Sequence, residues 1–130
     1  AQNQKLQQSW LRQVERFPDD SQVIGCAASF IARYDLVESM PLFERAFQLA
    51  PEEAWLHDFV FHIMSRLSSL DTDARKRFAN LVIEYGMRSL ESEGNPDDFI
   101  LCGFVADMAL ELERPESVRK CIEIFLAMDF

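Results

Sequence analysis

Residues 21–51 read SQVIGCAASFIARYDLVESMPLFERAFQLAP. Two apolar runs at helical spacing fill this stretch. The first holds Val23, Ile24, Ala27, Phe30 and Ile31, and the second Leu42, Phe43, Ala46, Phe47 and Leu49. Tyr34-Asp35 is the turn between them. Gly25, Ala27 and Ala28 are small enough to let a neighbouring helix approach closely. The stretch therefore reads as a helical hairpin. A proline followed by two acids stands just before it, Pro18-Asp19-Asp20, and another at its end, Pro51-Glu52-Glu53. A third such mark is Pro96-Asp97-Asp98. The marks lie 33 and then 45 residues apart. A period of about 33–34 residues is the signature of helix–turn–helix repeats that stack into a solenoid.

Helical periodicity continues on both sides, and strict strand-like alternation is absent. A first helix is expected over about Gln2 to Arg16, with Leu6, Trp10, Val14 and Phe17 on one stripe. Phe17-Pro18 ends it, because proline pushes the preceding residue out of the α region. The hairpin's helices are expected from Asp20 or Ser21 to about Arg33, and from near Leu36 to Ala50. Pro41 falls in the first turns of the latter, where a missing N–H is tolerated. Pro51 opens a fourth helix to about Leu67, its two acids favoured by the helix dipole. A fifth runs from Asp71 or Thr72 to about Glu91. Ser92-Glu93-Gly94-Asn95-Pro96 is the strongest break in the chain. A sixth helix covers about Asp97 to Glu113, and Pro115 opens a seventh. Short connections make successive helices antiparallel neighbours.

The hairpin at residues 21–51 resembles a tetratricopeptide repeat. Phe43, Ala46 and Pro51 match that family's aromatic, small and proline spacing, and Ala27 and Ala28 stand where the family packs its helix pair tightly. Tyr34-Asp35 occupies the turn where the family usually has glycine. The resemblance implies an all-α fold, a right-handed α-α superhelix of about seven antiparallel helices, in a single domain over residues 1–130 that could belong to a longer array. An unrelated helical bundle with ordinary proline-marked helix starts is the competing architecture.

The resemblance also implies a concave groove lined by the second, fifth, ninth and thirteenth residues after each acid pair. These are Gln22, Gly25, Ser29 and Arg33, then Trp55, Asp58, His62 and Arg66, then Ile100, Gly103, Asp107 and Glu111. From them Arg33, Trp55, Asp58, His62, Arg66, Asp107 and Glu111 are the candidate partner-binding residues. Trp55 would anchor a peptide, or lie in the core. The arginines would face a partner, or pair with acids of the next repeat. The asparagines of the family's carboxylate clamps are missing.

The chain of 130 residues carries 13 basic and 22 acidic residues, a net charge of −9. That disfavours nucleic acid and anionic lipid as partners. Cys26, Cys102 and Cys121 each sit in an apolar helical pattern and read as buried free thiols of a reducing, cytoplasmic setting. No stretch has the roughly 18 apolar residues of a membrane helix. His57 and His62 are five apart, not the four of a helical metal pair, and Asp58 with His62 reads as a surface hydrogen bond before a ligand set. No phosphate loop or activated nucleophile stands out, so no catalytic residue, metal or cofactor is expected. The expected function is a protein–protein interaction module holding a peptide or helix of a partner. A small acidic secretion-type chaperone shielding an apolar segment, and a spacer in a longer repeat protein, are the alternatives. The apolar C-terminal end suits self-association.

Overall fold

The computed structural model describes residues 2–50, 55–91 and 98–128. Among the described residues the fold is all-α, with seven α-helices and no strand. They are α1 (Gln2–Arg16), α2 (Ser21–Ala32), α3 (Leu36–Leu49), α4 (Trp55–Met64), α5 (Thr72–Glu91), α6 (Phe99–Glu111) and α7 (Pro115–Ala127). A short 3-10 turn covers Leu67–Ser69.

Aspartates set most of the helix starts. Asp20, Asp35, Asp71 and Asp98 each accept a backbone N–H from the first turn that follows, at 2.8 to 3.3 Å. Such a cap satisfies donors that have no partner within the helix. The first and third acid pairs therefore each supply a cap. In the first, Asp20 caps α2 and Asp19 pairs with Arg45 of α3 at 2.9 Å. In the third, Asp98 is the cap and α6 begins at Phe99. The expected start at Pro51-Glu52-Glu53 lies outside the described residues. Pro41 is the sixth residue of α3, beyond the first turn, so it does remove one ladder hydrogen bond. The last helical break has its own device. Glu113 lies at φ 55°, the N–H of Arg114 reaches the carbonyl of Ala109 at 2.8 Å, and that of Glu113 reaches Leu110 at 3.1 Å. This paired closure ends α6 and turns the chain into α7.

The chain divides into two compact units, residues 1–66 and 67–130. In the first, α2 and α3 form the expected hairpin, and α4 packs on both. Its core is built from Ile24, Ala27, Ala28, Ile31, Met40, Phe43, Phe59 and Ile63, each at most 1% exposed. The rings of Phe43 and Phe59 are 5.0 Å apart and those of Phe47 and Phe59 5.5 Å, which fastens α3 to α4. The alanines do what small residues predict, since both are fully buried between helices. α1 packs on α2 through Trp10 and Phe30, 6.4 Å apart. Its expected stripe is only partly buried: Leu6 and Phe17 are exposed, with the Arg16 guanidinium over the Phe17 ring.

In the second unit α6 packs on α5 and α7. Phe78, Val82, Leu101, Val105, Ala109 and Cys121 form the core. Gly86 of α5 is a close-approach point, where an added Cβ would stand 2.4 Å from a methyl of Val105.

Candidate functional site

In the first unit, α4 lies beside α2 and runs parallel to it. Three contacts define the alignment. The Trp55 indole lies against Gly25, the Ser29 hydroxyl donates to Asp58 Oδ2 at 3.2 Å, and Arg66 Nη1 donates to the carbonyl of Ala32 at 2.5 Å. Partners rise together along both helices, the last of them 34 residues apart in sequence. The structure thus brings together five sequence-predicted site residues: Arg33, Trp55, Asp58, His62 and Arg66.

Three of these side chains are engaged in holding the helices together. A Cβ at position 25 would stand 2.2 Å from the indole, so only glycine allows Trp55 this seat. The indole N–H is buried without a hydrogen-bond partner among the described residues. Arg66 brings a cation to the C-terminal end of α2, where the dipole is negative and carbonyls lack helical partners. His62 is half-buried, and its pKa is lowered. Burial is the largest cause; Asp58 opposes it, and Arg66 and Arg33 add to it. Arg33 itself is exposed at the end of α2.

Cys26 departs from the expectation of a buried thiol. It is exposed, because it shares the outer stripe of Gln22, Ser29 and Arg33 and not the buried row of Ile24, Ala27, Ala28 and Ile31. Its pKa is raised, first by partial burial and then by Asp58 and Asp20. That keeps it protonated and dulls its reactivity. No three His, Cys, Asp or Glu side chains converge as a metal site among the described residues.

Asp107 and Glu111 belong to the second unit, on α6. Asp107 is exposed, and Glu111 is paired with Arg75 of α5 at 2.7 Å. The rest of the α6 row predicted to face a groove, Ile100 and Gly103, is exposed as well.

Beyond Ile100 and the apolar C-terminal end, sequence reasoning missed the surface next to that row. α6 is apolar nearly all round, and a helix of that kind normally has neighbours on every side. Here Phe99, Ile100 and Leu110 of α6 remain 53%, 58% and 63% exposed, and Ile122, Phe125 and Leu126 of α7 are 53%, 45% and 76% exposed. An open cleft of about 740 Å³ lies between the helices near their turn, with Ala109, Leu110, Pro115, Val118 and Ile122 among its walls. A smaller one of about 180 Å³ follows towards Phe99, floored by Gly103 and Ala106. Together they form an apolar valley between antiparallel helices. Phe99 to Leu110 spans about 16 Å at 1.5 Å per residue. Asp107, Glu113 and Glu123 stand exposed beside it. The basic groups there are engaged: Arg119 faces Glu116 at 3.8 Å, and Arg114 donates to Asn80. The signal available in the sequence was the lack of a polar face on residues 99–112.

The second unit repeats the parallel step of the first. α7 lies along α5, with Arg114 on Asn80 and the Cys121 thiol on Met87 Sδ, both pairs 34 residues apart. Lys120 and Glu91, 3.8 Å apart, join the same two helices. No helix among the described residues is long and apolar enough to cross a membrane. No family model, curated protein or solved structure matches the chain.

Proposed function

We propose that the chain is a protein–protein interaction module of the tetratricopeptide-like kind, and that it takes an amphipathic helix of a partner in the valley between α6 and α7. The observation that carries this reading is the valley itself. Phe99, Leu110, Ile122 and Phe125, all large and exposed, line its two clefts, and an exposed apolar surface of this sort marks an interaction site. A helix laid in a groove is a common way to cover one. The length of the valley suits about three helical turns. Its acidic margin favours basic residues flanking the partner's apolar stripe. Parallel helices joined by contacts 29 to 34 residues apart inside each unit support the repeat reading. The α2–α4 seam is the weaker candidate, since Trp55, Asp58 and Arg66 are used within the protein. The free cysteines support a cytoplasmic setting.

The test uses a labelled peptide with leucines on one helical face and lysines on the other, followed by fluorescence anisotropy. Saturable binding is expected, and the pair Leu110→Asp/Ile122→Asp should abolish it while far-UV circular dichroism stays unchanged. Equal binding of a scrambled peptide, or unaltered binding by the pair, would overturn the reading. Sedimentation of the chain alone shows whether a second copy fills the valley instead.

A further inference from the structure

Two thiols, from α6 and α7, line the smaller cleft, and a thioether of α5 lies against one of them. Met87 comes from α5, Cys102 from α6 and Cys121 from α7. The Cys121 thiol lies 3.8 Å from Met87 Sδ. The Cys102 thiol donates to the Cys121 carbonyl at 3.1 Å, which sets the two cysteines side by side. Cys102 is 3% and Cys121 1% exposed, so solvent does not bathe the group. Yet both line the cleft of about 180 Å³, whose wall is low at Gly103, where a Cβ would meet nothing within 4 Å. The surrounding side chains are Phe99, Ala106, Ile122 and Phe125, with no oxygen or nitrogen ligand among them.

Ligand chemistry then decides the ion. Thiolate and thioether sulfurs select soft ions, copper(I) above all, and a tetrahedral zinc site would want a fourth donor. For a trigonal ion with metal–sulfur bonds of about 2.3 Å the sulfurs stand about 4 Å apart, close to the Cys121–Met87 separation. We propose that Cys102, Cys121 and Met87 form a trigonal binding site for a soft monovalent ion of the copper(I) class, entered through the cleft at Gly103. On binding, the two S–H protons leave to solvent and two metal–thiolate bonds form, with a third bond from the Met87 thioether. Copper stays monovalent throughout, and the site goes from neutral to one negative charge. The proposal does not depend on the helix-binding reading, which rests on the outer walls of the valley.

The experiment is anaerobic competition of the full chain, under reductant, with a chromogenic copper(I) chelator. It is run in a Cys26→Ser background, because that exposed thiol would also take copper. One copper(I) per chain should be withdrawn from the chelator. Cys102→Ser, which keeps the donor to the Cys121 carbonyl, and Cys121→Ala should each lose it. Met87→Leu conserves core volume and should weaken retention about tenfold, or about 1.4 kcal/mol. Circular dichroism confirms that each variant is folded. No copper withdrawn by the Cys26→Ser chain, or equal retention by Met87→Leu and Cys102→Ser, would overturn the proposal.

Discussion

The two units take the same helical step and leave opposite surfaces. In residues 1–66 the parallel pair α2 and α4 closes on itself through Trp55 on Gly25, Asp58 on Ser29 and Arg66 on the Ala32 carbonyl. In residues 67–130 the parallel pair α5 and α7 closes through Asn80, Met87 and Glu91, while the outer side of α6 and α7 stays apolar and open. A repeat step fixes which helices become neighbours. It does not fix whether the remaining face is spent inside the protein or presented outside. That depends on single residues: a glycine that seats an indole in one unit, and a glycine with nothing above it in the other.

The comparison is sharpened most by deleting apolar side chains in each place. Phe59 is fully buried among Phe43 and Phe47, and Phe59→Ala should cost about 3–5 kcal/mol in urea unfolding. Leu126 is 76% exposed, and Leu126→Ala should stay within about 0.5 kcal/mol. A large loss at Leu126 would mean that this exposed face of α7 is already covered by another copy.

Glycine substitution gives a smaller effect of opposite sign in the two units. Gly25→Ala drives a methyl into the Trp55 ring, and overpacking of this sort costs about 1–3 kcal/mol. Gly103→Ala meets open space in a helix interior and should add about 0.5–1 kcal/mol. Tryptophan fluorescence should shift for the first and not for the second. Equal effects would deny the contrast between a closed and an open face.

The smallest effect is in pH. The folded chain holds His62 below its ordinary 6.5, mainly through burial. The unfolded chain therefore binds the proton more readily, and stability should fall as pH drops through 6.5 towards the lower folded value. His62→Gln should remove that part of the decline, read as the difference in urea midpoints between the two proteins at pH 7 and just below 6. A parallel pH dependence in both would place the titration elsewhere.

The helix order was legible because local chemistry writes it. Prolines and capping aspartates mark starts, and apolar spacing marks cores, so α1, α2, α3 and α5 fall close to where residues 2–91 suggest. Ala27, Ala28, Phe43 and Ala46 were legible as core for the same reason. Less of the candidate site was legible. The sequence placed Arg33, Trp55, Asp58, His62 and Arg66 on facing rows, but not which atoms meet. Cys26 reads as buried by residue type, and only the angular position of α2 turns it outwards. Leu6 and Phe17 read as core, yet α1 buries only the middle of its stripe.

By itself, then, the sequence determined an all-helical chain with an acidic balance and a hairpin at residues 21–51, since each of these depends on neighbours within a few positions. The seat of Trp55, the open valley of α6 and α7, and the meeting of Met87, Cys102 and Cys121 were decided only by the tertiary structure. Each depends on how separate helices pack, and local spacing along one chain carries no measure of the distance between them.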